Sequence, residues 1–101
     1  MRSIDKEMLA AVCEHRNWSS GNTVVVADED YVQVILHGSI IYERNGVEEA
    51  FTLAGWDTDV TRNRLRALGI NIFRINGKTY ASKCKSGTNA IEIDKYKWYN
   101  F

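Results

Sequence analysis

The sequence predicts a single α+β domain spanning residues 1–101, with an antiparallel sheet of hairpins, an N-terminal helix and one central helix. Apolar residues recur at helical spacing only near the N-terminus and around residues 58–68, whereas β-branched runs fill much of the remainder. The order helix, strands, helix, strands is typical of α+β folds rather than doubly wound ones. A length of 101 residues with 45% apolar content suits one modest core.

The first element is a predicted helix over roughly residues 4–16, capped by Ser3. Its apolar stripe consists of Ile4, Met8, Leu9, Val12 and Cys13. Residues 17–22 contain Ser-Ser-Gly and are predicted to form the exit loop, with Trp18 plugging the core.

Two hairpins are predicted next. TVVVA at 23–27 and YVQVIL at 31–36 are separated by Asp28-Glu29-Asp30, and alternation puts Val32, Val34 and Leu36 on the core face. Gly38 is expected to loosen or bulge the chain before SIIYER, and the Asn-Gly pair at 45–46 then predicts a type I′ turn into VEEAFTL.

The central helix is predicted between a cap at Asp57 or Thr58 and a stop at Gly69. Its buried side should hold Thr61, Leu65 and Leu68, which leaves Arg62 and Arg66 on an exposed flank and Arg64 near the opposite edge. Acids at the start of this helix repel phosphate, which argues against a helix that reads the DNA major groove. Trp56 is expected to be mostly buried and to pin the corner between strand and helix.

The remaining chain predicts strands. The Asn-Gly pair at 76–77 lies between INIFRI and KTYAS and is the strongest turn signal in the sequence. The aromatic tail, Tyr96, Trp98, Tyr99 and Phe101, is expected to pack its rings on the sheet as a final edge strand, with a base-stacking platform as the alternative.

Charge is distributed unevenly although the net charge is zero. Residues 1–59 hold four Lys or Arg against eleven Asp or Glu, and residues 60–101 hold nine against two. The two halves could neutralise each other or face water, or they could form a surface with an acidic and a basic face.

Two sets of candidate partner-binding residues follow from this asymmetry. An acidic face that imitates the phosphates of a nucleic acid in a basic groove would use Asp28, Glu29, Asp30, Glu43, Glu48 and Glu49. A nucleic-acid site in the second half would use Arg62, Arg66, Arg74, Lys78, Lys83 and Lys85.

No motif for catalysis, a cofactor or a metal is evident. The sequence lacks a P-loop, G-x-G-x-x-G, H-E-x-x-H and G-x-S-x-G, so we expect no enzyme and no cofactor. Cys13, His15, His37 and Cys84 have poor spacing for zinc, and the two thiols are expected to be unpaired in a reducing compartment, with an oxidised pair as the alternative. No membrane span or secretory signal is evident, which favours a cytoplasmic location.

Four motifs resemble a group of small uncharacterised proteins encoded by phages and prophages. They are N-T-x-V at 22–25, L-H-G-x-x-I at 36–41, G-W-x-T-x-x-T-x-x-R-L at 55–65 and W-Y at 98–99. Ser39, Tyr42, Val60 and Arg66 depart from the residues usual in that group.

The resemblance implies a phage origin and a role in binding. It implies an accessory protein in the host bacterial cell that binds and inhibits a host protein complex, such as a CRISPR effector or another defence system. A nucleic-acid-binding regulator is the alternative, and self-association into a homodimer rather than a monomer is a third class.

Overall fold

The computed structural model describes residues 2–83 and 86–100, which form two helices and nine strands of an α+β domain. The elements in chain order are α1 (Ser3–Cys13), β1 (Trp18–Ser20), β2 (Thr23–Ala27), β3 (Tyr31–Leu36), β4 (Ser39–Asn45), β5 (Glu48–Phe51), α2 (Asp59–Ala67), β6 (Asn71–Ile75), β7 (Lys78–Ser82), β8 (Ile91–Glu92) and β9 (Tyr99–Asn100).

All strand pairs among the described residues are antiparallel, which confirms the predicted fold class. A six-stranded sheet has the order β1-β2-β3-β4-β5-β9, and a three-stranded sheet has the order β6-β7-β8. Helix α1 packs on β1, β2 and β3, and α2 packs on α1, β4 and β6. No helix within residues 2–83 and 86–100 is long and apolar enough to cross a membrane.

The core lies between the helices, one face of the large sheet and the small sheet. Val32, Val34 and Leu36 are buried there, as the alternation in β3 predicts, and the register places Tyr42 opposite Val34. The pairing of β3 with β4 shifts after Val34, so that Ile41 is an extra residue that is also buried in the core. The bulge therefore adds one more apolar side chain to the core.

The N-terminal helix is shorter than predicted. Ser3 is its first residue rather than its cap, and Arg2 precedes it without a side-chain capping bond. The helix ends at Cys13 because His15 adopts a left-handed conformation, with φ of 52°. Cys13 is exposed, and Asp5 is buried one turn before Met8. The predicted stripe was therefore wrong at Cys13.

Turn chemistry agrees with the sequence at most of the predicted turns. The type I′ turn predicted for Asn45-Gly46 was wrong, because Asn45 is the last residue of β4 and only Gly46 of the loop has positive φ, of 63°. Asn76 and Gly77 both have positive φ, of 52° and 77°, as a type I′ turn requires. Thr58 caps α2 by accepting a hydrogen bond from the Thr61 N–H, and Gly69 follows the helix at φ of 95°. His37 and Gly38 form another turn of this kind, which joins β3 to β4 directly. Gly38 is thus part of a turn, and the bulge lies further along β4.

Two regions differ from the predicted strands. Residues 18–20, predicted as a loop, form β1, and Trp18 lies half-buried against the core opposite Val25. The predicted aromatic edge strand shortens to β9, where Tyr99 packs on Phe51 with ring centroids 5.9 Å apart. Tyr96 and Trp98 are exposed, so the prediction that the tail packs its rings on the sheet was wrong for both. Phe101 lies outside the described residues.

Candidate functional site

The acidic candidates converge at one end of the large sheet. The β2–β3 and β4–β5 turns lie side by side there, since the Gly46 N–H donates to the Asp30 carbonyl at 3.1 Å. The exposed acids of these two turns are Asp28, Glu29, Asp30 and Glu48, and we call this set the acidic end. Four carboxylates on two adjoining turns create a local negative potential that reaches about 8 Å into physiological saline.

The other two acidic candidates are held by tyrosines. The Tyr31 hydroxyl donates to Glu43 at 2.5 Å, and the Tyr42 hydroxyl donates to Glu49 at 2.6 Å. The bond to Glu43 raises the pKa of Tyr31, and burial followed by the bond to Glu49 raises the pKa of Tyr42. Glu43 and Glu49 are only partly exposed, so they contribute less to a surface charge than the acidic end does.

Arg62 does not lie on an exposed flank, and this sequence prediction was wrong. The residue is 8% exposed and binds the carboxylates of Asp57 and Asp59, the latter at 2.6 Å. Arg64 is 4% exposed and donates to Asp5 at 2.8 Å. Both guanidinium groups are buried because each meets an acid, and in the case of Arg64 that acid belongs to the other helix.

The remaining basic candidates in the described part of the chain lie on α2, on the β6–β7 hairpin and just after β7. Arg66 donates to the Ile72 carbonyl at 2.8 Å, and Arg74 donates to the Gly77 carbonyl at 3.0 Å. Lys78 and Lys83 are exposed, and Lys85 lies outside the described residues. The cleft that holds Arg74 and Lys78 also contains Asp57, Glu92 and Lys95, so its charge is mixed.

Asp57 occupies a charged junction between α2 and the small sheet. It accepts hydrogen bonds from Arg62 and from the Thr79 hydroxyl. Partial burial alone would raise the pKa of Asp57, but the bonds from Thr79 and Arg62 outweigh that effect and lower the pKa below its ordinary value. The carboxylate therefore stays ionised at neutral pH and fixes the start of the helix.

An apolar pocket that the sequence did not predict lies at the opposite end of β3. Its volume is about 450 Å³. The apolar side chains that line it are Leu36, Ile41, Leu53 and Val60, and the others are His37, Trp56, Thr58 and Thr61. All of these except Leu53 and Val60 belong to the L-H-G-x-x-I and G-W-x-T-x-x-T motifs, which the fold brings together from distant parts of the chain.

Trp56 is 61% exposed on this pocket, which contradicts the expected burial. Ala54 and Gly55 both have positive φ, and the turn is held by a bond from the Trp56 N–H to the Leu53 carbonyl at 2.8 Å. A second bond joins the Gly55 N–H to the Lys95 carbonyl at 2.7 Å. Leu53 fills the core instead, and the exposed indole forgoes about 3 to 4 kcal/mol of burial free energy at about 25 cal/mol per Å².

Candidate metal ligands and thiols form no recognisable site among the described residues. Within residues 2–83 and 86–100, no three His, Cys, Asp or Glu side chains are grouped so that they could hold a metal ion. Cys13 is an exposed free thiol, and Cys84 lies outside the described residues. The two features that stand out are therefore the acidic end and the apolar pocket.

Comparison with known proteins identifies one family. The model of the Kyanoviridae Gp96 protein family matches residues 1–100. No curated protein matches the chain, and no solved structure does.

Proposed function

Because the chain belongs to the Kyanoviridae Gp96 family, a phage protein family, we propose that it binds a host protein complex through its acidic end and inhibits it. The phage affiliation agrees with the resemblance seen in the sequence. The proposed action is binding rather than catalysis, and the proposed targets are defence complexes, including CRISPR effectors.

The arrangement of the two acidic turns carries this proposal. Asp28, Glu29, Asp30 and Glu48 are exposed on adjoining turns, so their carboxylates present several negative charges on one small surface. A protein groove that holds nucleic acid is lined by Lys and Arg, and such a surface attracts it and competes with phosphate for the same side chains. Defence effectors that act on nucleic acids have grooves of this kind.

Three of the basic candidates make contacts within the protein. Arg62 forms ion pairs, and Arg66 and Arg74 each donate to a backbone carbonyl. Arg62 is thus buried and paired, and Arg66 and Arg74 are exposed but partly engaged, whereas the four side chains of the acidic end are exposed on adjoining turns.

Inhibition assays with charge-reversal variants test the proposal. Purified host defence effectors are assayed for nucleic-acid cleavage with the native chain and with the variant Glu29→Lys with Glu48→Lys. We expect the native chain to inhibit one effector, and the variant to need at least about ten times more protein, because repulsion replaces attraction.

The matched control carries Glu7→Lys with Glu92→Lys, which changes the net charge equally at exposed acids outside the acidic end. We expect it to inhibit within about threefold of the native chain. Equal losses in the two variants would show that net charge alone matters, and absence of inhibition across the effectors would reject the proposal.

A further inference from the structure

The apolar pocket is separate from the acidic end. Strand β3 runs from Tyr31 beside the acidic turns to Leu36 in the pocket, a distance of about 17 Å at about 3.3 Å per residue. A volume of about 450 Å³ lies within the range of about 300 to 1,000 Å³ that is usual for small-molecule sites. The pocket thus has the size of a ligand site. An inference about this pocket does not rest on the function proposed for the acidic end.

The walls of the pocket favour an uncharged ligand. Among the described residues that line it, none is Asp, Glu, Lys or Arg. An ion that entered would lose its hydration without gaining an opposite charge in contact with it, which is unfavourable. The polar groups available are the hydroxyls of Thr58 and Thr61, whose oxygens are 3.0 Å apart, and the ring of His37.

Trp56 favours a planar aromatic ligand. Its indole is more than half exposed at the pocket, and the bonded turn at residues 53–56 holds its backbone in place. Ring pairs gain free energy beyond the area that they bury, so a flat ring would be preferred over a saturated one of equal size. His37 faces the same space, and its Nε2 lies 3.4 Å from Nδ2 of Asn22, which orients the imidazole.

We infer that the apolar pocket binds a small uncharged aromatic molecule, with its ring against Trp56 and a hydroxyl or carbonyl oxygen that accepts a hydrogen bond from the imidazole of His37. The aliphatic side chains of Leu36, Ile41 and Leu53 cover the rest of the molecule. When the site fills, apolar surface of both the ligand and the exposed indole is removed from water, which favours binding.

Binding of 2-naphthol to the full chain, followed by backbone amide chemical shifts in ¹⁵N-labelled protein, tests this inference. We expect the largest shifts at residues 36–41 and 56–61. Decahydro-2-naphthol has the same skeleton without aromatic rings, and we expect it to bind about three- to tenfold more weakly. Absence of shifts at these residues with millimolar 2-naphthol would overturn the inference.

The variant Trp56→Leu removes the aromatic wall and keeps an apolar side chain. We expect it to bind 2-naphthol at least about threefold more weakly and to lose the preference over decahydro-2-naphthol. Trp98→Leu is the matched control, since Trp98 is exposed but does not line the pocket, and it should behave as the native chain. A preference that persists in Trp56→Leu would overturn the role of the ring.

A second variant, His37→Asn, tests the polar contact at a residue that tolerates the left-handed backbone. We expect about threefold weaker binding of both alcohols, and unchanged affinity would overturn the role of His37. Trp56→Leu should still inhibit a host effector if the acidic end is the inhibitory surface, so failure of either proposal can be distinguished from failure of the other.

Discussion

Arg64 joins three elements through one guanidinium group. Its Nη1 donates to Asp5 of α1 at 2.8 Å, and its Nε donates to the hydroxyl of Thr23 in β2 at 3.1 Å. Arg64 and Asp5 are both almost fully buried. A buried ion pair adds little stability relative to apolar residues of the same shape, but one partner left alone is an uncompensated buried charge.

We therefore expect Arg64→Ala to lower the free energy of unfolding by about 3 to 5 kcal/mol, measured by urea denaturation. The double variant Asp5→Leu with Arg64→Met removes both charges and should recover much of this loss. Arg66→Ala, on the exposed side of the same helix, should cost about 1 kcal/mol or less. A cost for Arg64→Ala no larger than that for Arg66→Ala would contradict the structural role of the pair.

At the scale of elements, Asp57 connects the start of α2 to strand β7. Its two carboxylate oxygens bind Arg62 within the helix and Thr79 in the small sheet. Asp59 binds the same arginine, but its side chain is 89% exposed. Two carboxylates on one guanidinium thus differ in surroundings, and only Asp57 links the helix to another element.

Acid should weaken this link. The folded-state pKa of Asp57 is lowered below its ordinary value near 4, so its contribution to stability is complete above that value and is lost as the pH falls through the lower folded pKa. We expect Asp57→Asn to cost about 1.5 to 3 kcal/mol at pH 7, in line with hydrogen bonds to charged groups, and to reduce the fall in unfolding free energy between pH 5 and pH 2.

Asp59→Asn is the control for this experiment. Because water screens its exposed carboxylate, we expect a change below about 1 kcal/mol and an acid response like that of the native chain. Thermal or urea unfolding of both variants across this pH range provides the measurement. If Asp59→Asn flattened the acid response as much as Asp57→Asn, the link to β7 would not be its cause.

At the scale of the whole molecule, the charges of the two halves are partly paired in the interior. Arg64 and Asp5 come from different halves of the sequence, as do Arg62 and its partners Asp57 and Asp59. The radius of gyration is 12.8 Å, close to the value of about 13 Å for a compact domain of 100 residues. In a domain of this size, opposite charges from the two halves of the sequence lie close enough to pair with each other as well as to contact solvent.

This pairing bears on nucleic-acid binding, the competing proposal. With Arg62 in ion pairs, and with Arg66 and Arg74 exposed but each bonded to a backbone carbonyl, a single-stranded oligonucleotide should engage about two or three phosphates. The slope of log affinity against log salt should then be no steeper than about −2, at about −0.7 for each phosphate. Fluorescence anisotropy of a labelled oligonucleotide between low and physiological salt measures it, and a slope near −4 would restore the basic half as the binding surface.

The sequence by itself determined the parts of the fold that depend on neighbouring residues. The Asn-Gly turn at 76–77, the Thr58 cap and the inward face of Val32 and Val34 follow from local backbone preference and from the two-residue period of a strand. The acidic turns at residues 28–30 and 46–48 could be located for the same reason. These two turns lie next to each other because strands β2 to β5 pair in the order in which they occur along the chain.

Only the tertiary structure decided which side chains were covered. Helical spacing placed Arg62 and Arg64 outside the apolar stripe, but acids, one of them in α1, made their burial favourable. Trp56 is exposed because the turn before it directs Leu53 into the core instead. The pocket arises only when β3, β4 and α2 meet, because burial depends on what packs against a residue and periodicity describes only the face on which it lies.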